Sequence, residues 1–162
     1  MEDSRILRNL ILGLLAYLAV VGLVALYMLS TGKIAGRGDL NDPARVALGE
    51  VVYKAHCAAC HGARLEGQPD WETKRADGTY RPPPLDDSGH GWEHSDRQLY
   101  DYVLYGGATY SSANFKGTMP GFADALSGKE IWAILAFVKS RWSDETRERQ
   151  STASFVSGLH FH

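Results

Sequence analysis

The sequence predicts an all-α chain, and three observations carry that prediction. One continuous apolar run occupies residues 10–29. Three capping signals further on are each followed by apolar residues at helical spacing. No stretch between them alternates as a strand would.

The apolar run comes first. Its twenty residues are only Leu, Ile, Val, Ala, Gly, Tyr and Met, and no charge falls between Arg8 and Lys33. At about 1.5 Å per residue such a helix spans a hydrocarbon layer of about 30 Å. Tyr27 stands where an interfacial ring is expected. A cleaved signal peptide is the competing reading, but its apolar region is shorter and ends in a small-x-small site, which Tyr27-Met28-Leu29-Ser30 does not offer. The run is therefore read as a retained transmembrane helix, with 1–9 as the segment before it. Residues 30–41 carry Gly32, Gly36 and Gly38 and read as a short linker, reaching at most about 40 Å.

The remaining helices follow from their caps. Asp42-Pro43 supplies an N-cap and a first-turn proline, and Val46, Gly49, Val52 and Tyr53 continue at helical spacing. Ser95 to Gln98 and Ser127 to Glu130 are capping boxes. The first opens a helix through Leu99, Tyr102 and Val103 that stops at Gly106-Gly107. The second opens one through Ile131, Ile134, Leu135 and Val138 that fades near Trp142. Residues 68–91 form a long, polar, Pro-rich loop that must wrap something other than itself. The domain is bounded at 42–142. Residues 143–162 read as a C-terminal tail, disordered by default or lying on a partner.

The chemistry is concentrated in Cys57-Ala58-Ala59-Cys60-His61, a C-x-x-C-H sequence holding both cysteines of the chain. This is the attachment pattern of a covalently bound haem c: two thiols form thioethers to the porphyrin vinyl groups, and the histidine that follows ligates the iron. Half a zinc site and a thioredoxin-like thiol pair are the alternatives. The first lacks a second cysteine pair, and the second lacks its βαβ setting. For the sixth iron ligand, elimination leaves one thioether. Met1 is the initiator and Met28 lies in the apolar helix, so Met119, in Gly117-Thr118-Met119-Pro120-Gly121, is the candidate; a core methionine is the plain alternative. Bis-histidine ligation through His90 or His94 is the runner-up. Trp92 and, less directly, Tyr80 are candidates to shield or bond the propionates, with simple packing as the other reading.

These residues resemble the class I cytochromes c, and most closely the bacterial, membrane-anchored, single-haem members, over residues 43–142. Gly49 to Tyr53 matches the family's Gly-x-x-x-aromatic before the haem motif, Pro83-Pro84-Leu85 its Pro-x-Leu, and Thr118-Met119-Pro120 its methionine loop. Ile134 and Phe137 match its terminal aliphatic–aromatic pair. The resemblance implies a helical domain wrapped around one haem, with His61 and Met119 as axial ligands. It implies that the Pro83 carbonyl, or that of Pro84 one place on, accepts a bond from His61. It implies that Gly49 lies against Ile134 or Phe137. It also places the haem domain on the periplasmic side of a bacterial inner membrane, with the N-terminus cytoplasmic, because the charges flanking the helix do not decide its orientation. The loop at 68–81 is longer and more charged than in compact members.

The expected function is one-electron transfer without substrate binding. The chain would serve as a fixed subunit of a membrane electron-transfer complex, or as a tethered shuttle between complexes. Candidate partners are a quinol-oxidising complex, a terminal oxidase or a photosynthetic reaction centre, besides the lipid bilayer. A haem enzyme or gas sensor with a displaceable sixth ligand is the alternative. The net charge of −2 offers nothing to nucleic acid. Eleven basic residues against twelve acidic at 43–142 give no dominant surface field.

Overall fold

The protein is described here from a computed structural model covering residues 2–30, 42–112 and 115–159. Most of the linker expected at 30–41 lies outside the described residues. The chain divides into two units, the first holding the apolar helix and the second everything from Pro43 on. The described residues are helical apart from loops, and their only β feature is an isolated bridge between Thr79 and Lys116.

Helix α1 spans Glu2–Ser30, eight residues longer at its N-terminal end than the apolar run alone indicates. Between Arg8 and Tyr27 its side chains are all exposed, and the helix is long and apolar enough to cross a membrane.

The second unit is built on two crossing helices. In α2, Pro43–His56, the Asp42 carboxylate accepts from the backbone of Ala44 at 3.1 Å and of Arg45 at 3.2 Å, which meets two donors that a helix start leaves open. It leads into the single turn α3, Ala58–His61. Helix α4 is Asp96–Tyr105 and α5 is Gly128–Ser140; both capping boxes are formed in full. α5 is buried on nearly all sides from Ile131 to Val138, with only Trp132 less covered, and packs against α2 at the glycine. A Cβ at Gly49 would stand 1.9 Å from the Ala133 carbonyl oxygen and 2.8 Å from the Phe137 Cβ. The expected contact with Phe137 is there, while the closest approach is to the Ala133 backbone and not to Ile134. Tyr53 is fully buried and meets the Phe137 ring at 5.3 Å.

Much of the tail expected from Ser143 is helical and packs on the domain. Residues Asp144–Leu159 form helix α6. It lies against the short 3-10 turn Gly91–Glu93, where the Arg149 guanidinium covers the Trp92 ring at 5.7 Å. Gln150 is 1% exposed, and its amide nitrogen lies 2.7 Å from the Asp96 carboxylate and 3.2 Å from the His94 carbonyl. Lys139 reaches the same carboxylate at 2.8 Å. A charged, largely polar segment that looks like a tail in isolation is thus held by acceptors at the start of α4. Residues 160–162, the end of the expected tail, lie outside the described residues.

Candidate functional site

The site begins at the junction of α2 and α3. Cys57 caps α3 and is buried, whereas Cys60, one turn on, is exposed. Neither is in a disulfide. Burial pushes the Cys57 thiol up to about 11, with the neighbouring Cys60 adding to it, so it stays protonated at neutral pH. His61 ends the same turn and is 9% exposed.

The His61 ring has a fixed orientation. Its Nδ1 lies 2.9 Å from the Pro83 carbonyl oxygen. A carbonyl only accepts, so Nδ1 carries the proton and donates, which leaves Nε2 with its lone pair free. Burial holds the imidazole below its usual range, and the bond to Pro83 partly opposes this. Of the two prolines left open by the sequence, Pro83 supplies the acceptor. The turn after His61 is held from behind: the Tyr53 hydroxyl donates to the Gly62 carbonyl at 2.7 Å, and Gly67 N–H to the His61 carbonyl at 2.8 Å. Leu65, 2% exposed, sits beneath it.

Met119 is on a loop between α4 and α5 and packs, half-buried, against the core that includes Cys57 and Leu65. Its placement rests mainly on backbone contacts, with the Ser111 hydroxyl accepting from the Gly117 N–H at 2.9 Å. Its carbonyl accepts from Gly107 N–H at 2.9 Å. Gly107 and Gly117 touch so closely that a Cβ on Gly117 would fall 2.0 Å from the Gly107 carbonyl oxygen.

The other candidates are elsewhere engaged. Trp92 donates its indole N–H to the Gly89 carbonyl at 2.9 Å and has Arg149 over its face, so its one donor is not available to a propionate in this arrangement. Tyr80 pairs with Phe115 at 6.1 Å. His90 stacks on Trp71 at 5.4 Å and meets His94 at 5.5 Å, and His94 in turn meets Tyr102. Their rings are built into an aromatic row on the loop before α4.

One residue of consequence was missed by the sequence reading, which used Trp142 only as a helix end. Trp142 is 3% exposed and donates its indole N–H to the Leu85 carbonyl at 2.8 Å. A tryptophan just past an amphipathic helix was the available signal, but nothing local named its acceptor.

The donor set fits a haem c. Two unpaired thiols and an imidazole with its Nδ1 already engaged share one helical turn, and a thioether borders the same core. A zinc site does not fit: among the described residues no group of three His, Cys, Asp or Glu side chains is placed to hold a metal.

Comparison with known proteins points the same way. The family described as cytochrome c oxidase, cbb3-type, subunit III matches residues 44–138. A thiosulfate dehydrogenase from Allochromatium vinosum is 35% identical over 91 residues, 56% of this chain and 29% of that protein. The cbb3-type cytochrome c oxidase subunit FixP of Sinorhizobium medicae is 26% identical over 96 residues, 59% of this chain and again 29% of its own length. The chloroplastic cytochrome c6 of Chlamydomonas reinhardtii is 27% identical over 132 residues, covering 78% of this chain and 71% of that one. The chain thus spans less than a third of the first two relatives and most of the third. No solved structure matches it.

Proposed function

The chain belongs to the cytochrome c oxidase, cbb3-type, subunit III family of c-type cytochrome domains, and on that premise we propose that it is a membrane-anchored cytochrome subunit of an electron-transfer complex. It is a class I cytochrome with one covalently attached haem c, and its role is that of an electron carrier. The haem supplies the one-electron couple. The protein's part is to hold the axial groups still and dry, so that little reorganises between the two oxidation states. In this reading Cys57 and Cys60 attach the haem, His61 and Met119 are its axial ligands, and Pro83 keeps the imidazole oriented and basic.

The observation that carries the anchoring is α1. Twenty residues, Arg8–Tyr27, are uncharged after the first and uncovered by protein. A lipid bilayer is the partner that suits such a surface. With α1 across a bacterial inner membrane and its N-terminus cytoplasmic, the haem domain works on the periplasmic side. FixP, named as an oxidase subunit, supports a fixed place in a respiratory complex. A quinol-oxidising complex or a photosynthetic reaction centre is an alternative host of the same kind, and a tethered shuttle is the alternative mode. Near-neutral charge favours finding the partner by co-anchoring over long-range steering.

Gentle detergent extraction tests this. The c-type haem is expected to migrate in a large particle with further haems, copper or chlorophyll, and those chromophores name the complex. Migration alone would make the chain a shuttle. Leu18→Arg, which costs insertion about 3 kcal/mol, should release the haem domain from the membrane fraction; retention there would refute the anchor.

The thiosulfate dehydrogenase relative shows that a related domain occurs within an enzyme. A catalytic haem needs an exchangeable sixth position. Met119 packed on the core argues against that here, and rapid carbon monoxide binding by the reduced protein would argue for it.

A further inference from the structure

The loop that carries Pro83 is held in part from beyond residues 44–138, the stretch that matches the family. Residues outside the matched stretch thus share in holding this loop with bonds inside it, the Gln68 N–H on the Pro82 carbonyl at 3.0 Å among them. Leu85, two residues after Pro83, has both backbone groups tied. Its N–H donates to the Leu65 carbonyl at 2.8 Å, just after the haem-attachment turn, and its carbonyl accepts from the Trp142 indole at 2.8 Å. The next residue, Ser143, donates its backbone N–H to the Asp87 carboxylate at 3.0 Å. Two consecutive residues thus hold two points of one loop. Trp142 is itself fixed: its ring is in the core, and its own carbonyl accepts from Arg147 in the first turn of α6.

We propose that Trp142 is a positioning residue for the axial histidine, locking the Leu85 segment so that the Pro83 carbonyl stays aligned on His61 Nδ1. The geometry gives the path: α6 fixes Trp142, Trp142 fixes Leu85, and Leu85 sets the carbonyl two residues upstream. Nothing else among the contacts described holds the Leu85 carbonyl. A buried carbonyl that loses its donor moves toward water or a new partner, and the chain on either side moves with it. The chemical consequence follows from the His61 bond. An Nδ1–H donated to a well-aligned carbonyl makes the imidazole a stronger electron donor and favours ferric iron, so misalignment shifts the couple toward the ferrous form. This deepens the function proposed above and rests on His61 being an iron ligand.

The test is Trp142→Phe in the full-length, haem-loaded protein, which removes the N–H donor and keeps an aromatic ring in the core. Two quantities are read: the midpoint potential, and the solvent exchange of the His61 Nδ1 proton by NMR of the reduced protein. The potential is expected to rise and the proton to exchange faster, with His/Met absorption retained. Ile131→Val, a core change on the other end of α5, should move neither. An unchanged potential and exchange rate in Trp142→Phe, or equal shifts in Ile131→Val, overturns the proposal. If Trp142→Phe yields no haem-loaded protein, site-specific replacement of Trp142 by benzothienylalanine keeps the ring shape without the N–H, and the same two readouts decide. A parent protein whose haem is not bound by His61 would fail the ligand reading itself, and is told apart because the parent spectrum is then already wrong.

Discussion

The two sides of the proposed haem site are built on contrasting principles. On the His61 side, order comes from hydrogen bonds between side chains and distant backbone: His61 to Pro83, Tyr53 to Gly62, Trp142 to Leu85. On the Met119 side, it comes mainly from backbone packed on backbone, with Gly107 and Gly117 in contact and Gly107 N–H on the Met119 carbonyl, and one side chain, Ser111, accepting from Gly117 N–H. The first arrangement fixes a ring's rotation, which an imidazole needs because its donor properties depend on direction. The second fixes where a flexible side chain starts and leaves the thioether to settle. A thioether has no second polar atom to orient, so position is enough. One side is therefore sensitive to the loss of donors, and the other to the addition of atoms.

Substitutions can break this contrast in turn. The largest effect is expected from Met119→Ala. It should leave the haem attached, abolish the thioether's contribution to the spectrum and let the reduced protein bind carbon monoxide; an unchanged spectrum would remove Met119 from the ligand set. Next is Gly117→Ala. The added methyl must displace the Gly107 carbonyl, an overpacking that costs about 1–3 kcal/mol, and denaturant unfolding of the holoprotein should show that loss together with a weakened methionine signal. The same change should leave His61 Nδ1 proton exchange untouched.

Smaller still is a pH effect away from both sides, at His94. Burial, and next the neighbouring His90, hold His94 below its ordinary value of 6.5. The unfolded chain therefore takes up this proton first, and stability is full above that value and lost as pH falls below it toward the folded value. His94→Gln should flatten that part of the stability curve, and a slope identical to the parent's would exclude this group. The smallest expected change is Lys139→Met. Its half-buried pair with Asp96 is worth about 1 kcal/mol, and its loss should lower the unfolding midpoint slightly while both axial signals stay put.

Much of the helical frame was legible in advance because its signals are local. A capping box is closed by residues three apart, and both boxes predicted at Ser95 and Ser127 are formed. The apolar run of α1 was equally plain. Its extension back to Glu2 was not, since charged residues continue a helix as readily as they precede one. The reading failed at α6. Its apolar content is too low to announce a buried face, and its docking rests on Gln150, a polar residue that is buried only because Asp96 and the His94 carbonyl meet it.

By itself the sequence pointed to the chemistry: a haem-attachment motif confined to five residues, a single thioether, Met119, after that motif, and an apolar run long enough to span a bilayer. Each depends on residue identity and on neighbours within a few positions. The tertiary structure decided which atoms meet across the chain. His61 finds Pro83 and not Pro84 at a separation of 22 residues, Gln150 finds Asp96 at 54, and Trp142 finds Leu85 at 57. A hydrogen bond tolerates an error of only a few tenths of an ångström. Over such separations only the packed core, through the crossing of α2 and α5, sets positions that finely.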